Sequence, residues 1–253
     1  VDLKNFRQRI NLSEETSLVR NPLKDLTDII EQALNIANQH DRLIQESLGL
    51  NLLATGQSWV ITQYQIRLNH DLVLPRDLWI DTAIIELNRF FIVRRFTVRQ
   101  GSIAYIEIDT QFALFDLNQR KMGRINVDDS RLEYILNPAK SPSIRGLRRQ
   151  LAETYQSVAH VIQAEDIDAN HHVNNLVYLR WAFAQLPSSR WQQAQLKQVQ
   201  VKYLNELLPS DQVQIDTLLR ADTSSIIEDQ VVIRNVTQAK DACIIGLEWQ
   251  ETK

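Results

Sequence analysis

The chain is poor in the residues that cross-link, hinge or cradle phosphates. A single cysteine, Cys243, in 253 residues excludes an intrachain disulfide framework and fits a reducing compartment. The six glycines, Gly49, Gly56, Gly101, Gly123, Gly146 and Gly246, stand alone. Neither a Walker loop nor a G-x-G-x-x-G turn can be built from them, which argues against nucleotide chemistry. No apolar run approaches the roughly 18 residues of a membrane span, and no signal-peptide pattern opens the chain. A formal net charge of −3 provides no global basic field, so neither nucleic acid nor membrane is an expected partner. These absences together point to a soluble cytoplasmic protein.

What is present is a large apolar content, 44% hydrophobic against 23% charged, enough for one large core or two ordinary ones. From Pro22 to about Leu48, apolar residues recur at helical spacing: Leu26, Ile29, Ile30, Ala33, Leu34, Ala37, Leu43 and Ile44. Asn21 suits an N-cap, Pro22 the first helical position and Gly49 the stop. Strand patterns follow at Trp59–Leu68, Asp77–Leu87, Phe90–Gln100, Ile103–Asp116 and Gly123–Asn126. The second half runs in the same order. A helix over Val173–Leu186 precedes strands at Gln198–Leu204, Asp211–Leu219, Ser224–Asn235 and Ala242–Trp249. The segment Leu74 to Thr82 is echoed, with one insertion, by Leu208 to Thr217, which favours duplication. A linker composition, Asn137-Pro138-Ala139-Lys140-Ser141-Pro142-Ser143, separates the halves. The expected architecture is α+β, a helix against an antiparallel sheet, made twice.

The most informative stretch is Asp168-Ala169-Asn170-His171-His172-Val173-Asn174-Asn175, just before the second helix. An acid, an amide and an imidazole alternate there, beside a helix N-terminus whose first N–H groups lack intrahelical partners. Those parts can activate a water and hold an oxyanion, the needs of acyl hydrolysis. Each has an ordinary reading too: Asp168 as an Asx-turn or capping acid, His172 as a helix-start residue, Glu206 as a solvated strand end. Asn174 and Asn175 suit a cap, Tyr178 suits packing, and His171 should point to solvent. A metal set of Asp168, His171, His172 and Glu206 is disfavoured, because adjacent histidines rarely share an ion and no zinc spacing matches.

The pattern Asp168-x-Asn170-x-His172-Val173-Asn174-Asn175-x-x-Tyr178, followed by Tyr203-Leu204-Asn205-Glu206, resembles the fatty acyl-ACP thioesterases. The first half is similar as well, in Gly49-Leu50-Asn51-Leu52-Leu53-Ala54-Thr55-Gly56-Gln57-Ser58-Trp59-Val60 and Arg94-Arg95. The resemblance implies two tandem hot-dog domains, each a long helix against a curved antiparallel sheet. Residues 1–136 would house the acyl chain, 137–150 would link, and 151–253 would carry catalysis. It further implies hydrolysis of acyl-acyl carrier protein to free fatty acid, with water activated by Glu206 and His172 and assisted by Asp168 and Asn170. No cofactor and no metal are implied. Many plant relatives carry a Cys directly after the Glu; here that position is Leu207, so a cysteine nucleophile is hard to build.

The backbone N–H groups of His172 and Val173 are the expected oxyanion donors. The apolar stretch Leu48 to Ala54 would line an acyl site or belong to plain core. The implied partner is an acyl carrier protein bearing a 4′-phosphopantetheine-linked chain. Such carriers are acidic, so the basic run at Arg145, Arg148 and Arg149 is the expected docking contribution; Arg94-Arg95 and Arg120-Lys121-Arg124 are further basic clusters. A hot-dog acyl-CoA thioesterase, a hydratase and a non-catalytic acyl-thioester binder stay open as alternatives, and so does a monomer or homodimer.

Overall fold

In the computed structural model, residues 2–10, 22–70, 74–75, 77–138, 144, 146–150, 155–220 and 225–251 are described. The expected cap Asn21, the docking residue Arg145 and linker residues 139–143 lie outside them. The chain divides into two compact units, Val1–Arg145 and Gly146–Lys253, at a point inside the expected linker.

The first unit runs β1 (Phe6–Ile10), α1 (Pro22–Leu48), β2 (Gln57–Leu68), β3 (Leu78–Leu87), β4 (Phe91–Gln100), β5 (Ile103–Asp116) and β6 (Lys121–Met122). Its antiparallel sheet has the order β1-β3-β4-β5-β2. The second runs β7 (Gln156–His160), α2 (Asn175–Ala184), α3 (Ser188–Gln193), β8 (Ala194–Tyr203), β9 (Val213–Leu218), β10 (Ile226–Asn235) and β11 (Lys240–Glu251). Its order, β7-β9-β10-β11-β8, matches the first strand for strand. The echoed Leu-Pro segments enter corresponding strands, β3 and β9.

The long helix holds because its apolar stripe, Leu26, Ile29, Ile30, Ala33, Ile36, Ala37 and Ile44, is buried. Gly49 ends it in the left-handed region, at φ 61°, with its N–H donating to Gln45 O at 2.8 Å. A histidine shares the buried stripe. His40 Nδ1 accepts from Arg94 Nη1 and Nε2 donates to Leu3 O, both at 3.0 Å, and Arg94 also pairs with Asp41. Those partners define one neutral tautomer. Burial and the neighbouring Arg94 push the imidazole down to about 4. Leu50 is buried with Ile44, Ile84 and Leu114, and Leu48, Leu52 and Leu53 pack against the same cluster. That is the plain-core reading of this apolar stretch.

Four elements differ from expectation. Gly123–Asn126 is not a strand: β6 pairs with β5 only at Phe115↔Met122 and Asp116↔Lys121. The chain then turns inward, placing Ile125 in the core with its N–H on Arg89 O at 2.9 Å. The second helix is short, ten residues rather than a long rod, and Pro187 separates it from α3 because proline cannot donate to a continuing helix. Strands β1 and β7 lack a sequence signal; β7 is an exposed edge strand and needs no apolar alternation.

Residues of the expected linker lie on the sheets. Ile144 packs on Ala83, Ile85 and Val93, the face of β3 opposite Ile84. In the second unit Leu147 sits against Gly246, where a Cβ would come within 3.1 Å of it. Gln150 N–H donates to Gln230 Oε1 at 2.8 Å, and Gln230 Nε2 donates to Arg148 O at 3.0 Å. The middles of the central strands β10 and β11, at 229–233 and 242–245, are therefore buried on consecutive residues and do not alternate.

Candidate active site

The motif folds into a closed turn followed by a capped helix. Ile167 and Val173 pair as an antiparallel bridge. Between them, Asp168 N–H donates to His172 O at 2.8 Å and His171 N–H donates to Asp168 O at 3.0 Å. His171 takes the left-handed φ of 62° that closes such a turn, and its side chain is exposed. Asn174 caps α2 by accepting Leu176 N–H at 2.9 Å. Its own N–H donates to Asp166 O at 2.8 Å.

Asp166 was not singled out by the sequence, yet it anchors the turn. Its buried carboxylate accepts Gln163 N–H at 2.8 Å and Arg180 Nη2 at 2.7 Å. The spacing Gln163-x-x-Asp166 forms a capping box around a short 3₁₀ turn, and that spacing was the available signal.

Asp168 shapes the turn rather than the imidazole ring. Its Oδ1 accepts Asn170 N–H at 2.8 Å and His172 N–H at 3.3 Å, and its Oδ2 accepts Asn170 Nδ2 at 3.4 Å. Asn170 is exposed, with Asp168 holding one side of its amide. Glu206 arrives from the loop after β8. His172 Nε2 lies 3.3 Å from Glu206 Oε2, the imidazole half-buried and the carboxylate more open. The side chains thus meet in two pairs, Asp168 with Asn170 inside the turn and His172 with Glu206 from the loop 34 positions later.

The expected oxyanion donors need correction. Val173 N–H is committed to Leu207 O at 3.0 Å, and His172 N–H to the Asp168 carboxylate. The helix begins at Asn175, two residues later than expected, because Asn174 takes the cap. Val173 N–H thus ties the turn to the Glu206 loop, and His172 N–H closes the turn on itself.

Two further groups are silent at neutral pH. Cys243 is fully buried on β11, and burial pushes its thiol well above the usual range. Tyr178 packs edge-on against Tyr203, with ring centroids 5.6 Å apart, and burial raises its hydroxyl above the ordinary phenol value. Among the described residues, no three His, Cys, Asp or Glu side chains converge to hold a metal ion, and no helix is long and apolar enough to cross a membrane.

The basic clusters divide sharply. Arg94 is buried on Asp41 and His40, and Arg95 clasps the buried Asp109 at 2.7 and 2.9 Å. Arg149, expected at a docking face, turns inward to Asp216 at 3.0 Å and Asp241 at 2.9 Å, beneath which its guanidinium lies over the Tyr155 ring. Arg148 stays exposed. So do Arg120, Lys121 and Arg124, on and just beyond the β5–β6 hairpin. This hairpin also displays Leu117 at 55% and Met122 at 47% exposure.

Known proteins resemble the chain along almost its whole length. The model described as the acyl-ACP thioesterase N-terminal domain matches residues 5–134, and the one described as the acyl-ACP thioesterase C-terminal domain matches residues 150–251. Among solved structures, the chain is similar to the 12:0-ACP thioesterase from Umbellularia californica, at 16% identity and a TM-score of 0.77 over 98% of each chain. It is similar also to an acyl-ACP thioesterase from Bacteroides thetaiotaomicron, at 18% identity and a TM-score of 0.74 over 98% of each chain. No curated protein matches the sequence significantly. At these identities the structural likeness carries the fold, a tandem of two hot dogs.

Proposed function

The chain belongs to the acyl-ACP thioesterase family, and we propose that it hydrolyses acyl-acyl carrier protein to free fatty acid, ending fatty acid synthesis, from the site formed by Asp168, Asn170, His172 and Glu206. The observation that most supports the residue roles is the 3.3 Å approach of His172 Nε2 to Glu206 Oε2. Glu206 takes a proton from a water held against His172, and the water oxygen attacks the acyl carbonyl carbon. Negative charge gathers on the former carbonyl oxygen and is met by Asn170 Nδ2. That amide has two hydrogens, so one stays on Asp168 while the other serves the oxyanion. The carbon–sulfur bond then breaks, and the proton on Glu206 passes to the departing pantetheine thiolate. These steps draw on water and protein groups alone.

The test is thiol release from a panel of medium and long acyl-ACPs and the matching acyl-CoAs. Turnover on acyl-ACP is expected. Hydration of the acyl chain without free thiol would mark a hydratase instead, and stoichiometric binding without turnover would mark a binding module.

For the carrier, the supporting observation is charge that the fold leaves unspent. Arg94, Arg95 and Arg149 are bound to internal carboxylates, whereas Arg120, Lys121 and Arg124 stand exposed around Leu117 and Met122. An acidic carrier with some apolar surface complements that hairpin. Reversing Arg120, Lys121 and Arg124 to Glu is expected to raise KM for acyl-ACP about tenfold, a loss that lessens with salt. Acyl-CoA turnover should hold; equal losses on both substrates would remove the hairpin from docking.

A further inference from the structure

Glu206 is more than half exposed and sits on a loop, so something outside its own side chain must fix where it stands. The backbone around it is held unusually well. The β8–β11 ladder ends at Tyr203↔Cys243, where a loop would normally leave the sheet. Instead Leu204 N–H and Asn205 N–H both donate to Ala242 O, at 2.8 and 3.2 Å. Asn205 Nδ2 donates to the preceding carbonyl, Asp241 O, at 2.8 Å.

Successive carbonyls of a regular strand point to opposite edges. Here two successive carbonyls, Asp241 and Ala242, serve the same pair of residues. The pairing of β10 with β11 explains how. Ile233 faces Cys243 and Arg234 faces Asp241, so Ala242 is the extra residue of a β-bulge on β11. The bulge turns the Asp241 carbonyl toward the loop, and the Asn205 amide meets it. Asp241 is itself fixed by Arg149 at 2.9 Å and Arg234 at 3.4 Å. On the far side of Glu206, Leu207 O accepts Val173 N–H at 3.0 Å. The carboxylate thus stands between an anchor on the bulge and an anchor on the His172 turn.

We propose that Asn205 is a positioning residue for the hydrolysis, setting Glu206 against His172 through its side-chain amide on the bulged carbonyl of Asp241. The proposal rests on the reading of Glu206 as the group that works on the water. Displacing that carboxylate by a fraction of an ångström costs rate without costing substrate affinity, because Glu206 acts on the attacking water.

The experiment compares Asn205→Ala and Asn205→Asp with the wild-type chain for thiol release from acyl-ACP, with circular dichroism confirming the fold at the assay temperature. In Asn205→Ala, kcat is expected to fall about tenfold with KM within about twofold. Asn205→Asp keeps the shape, cannot donate to Asp241 O, and adds a negative charge beside Glu206. Its kcat should fall at least as far, and the acid limb of its pH–rate profile should move to higher pH than in Asn205→Ala. Wild-type kcat in Asn205→Ala, a loss expressed only in KM, or superimposable acid limbs in the two variants would each overturn the proposal. A wild-type chain that releases no thiol, or a Glu206→Gln variant with full kcat, would overturn the functional reading beneath it, and either is recognised independently of position 205.

Discussion

Glu206→Gln is expected to lower kcat for acyl-ACP by about 10²–10⁴-fold while leaving KM and the fold nearly unchanged. Glutamine keeps the length of the side chain and can still meet His172, but it cannot accept a proton from water at neutral pH. Because the side chain is largely exposed, its removal costs little stability. His172→Ala should lose kcat on the same scale, and the double variant should lose little more than either single one, since two groups that act on one water are not additive. Cys243→Ala, at a fully buried thiol held above its usual range, is the internal contrast and should keep kcat. Activity that survives Glu206→Gln but disappears in Cys243→Ala would reverse the mechanism. The measurement is steady-state thiol release at several acyl-ACP concentrations, so that kcat and KM separate.

Acidification should destabilise the N-terminal unit through His40. Its imidazole is held neutral at about 4 in the folded chain, by burial first and Arg94 second, whereas the unfolded chain titrates near its ordinary value of about 6.5. Below that value the unfolded chain binds a proton that the folded chain refuses. Stability is therefore complete above pH about 6.5, falls as pH drops toward 4, and levels off below that. The drop amounts to about 3 kcal/mol, a sizeable part of a domain's stability. Urea unfolding of the whole chain at pH values from 4 to 7, followed by a probe on the first unit, measures it. In His40→Gln the amide can still accept from Arg94 and donate to Leu3 O, but does not titrate, and the slope over that range should flatten. An unchanged slope would assign the acid sensitivity to another group.

Much of this molecule is legible from residue order. The long helix, four of the strands in each half and the turn-plus-cap at Asp168 to Asn175 all carry local signals: apolar period, β-branched runs, Asx chemistry, a glycine stop. Local signals fail where stability comes from a partner distant in sequence. Strand β7 exists because β9 pairs with it, and its own residues are mostly exposed. The run Gly123 to Asn126 has strand composition, yet Ile125 is worth more in the core than on a ladder. Asp166 reads as one acid among several and becomes a buried anchor only when Arg180 and Gln163 close around it.

The basic runs teach the same lesson from the other direction. Arg94, Arg95 and Arg149 look like solvated charge in the sequence, but each meets a carboxylate across the sheet or from the helix. Among the described residues of these runs, Arg120, Lys121, Arg124 and Arg148 keep the exposure that a docking role needs.

The sequence by itself determined the helix-and-strand order of each half and the resemblance that names the family and points to the four proposed site residues, because these reside in local pattern and motif spacing. The tertiary structure decided which donors are spent, which cations are free, and how Glu206 reaches His172. Those outcomes depend on hydrogen bonds between residues tens of positions apart, at Val173 to Leu207 and Asn205 to Asp241. A backbone N–H at a helix start is free or bound according to what the fold places opposite it, and no window of neighbouring residues contains that partner.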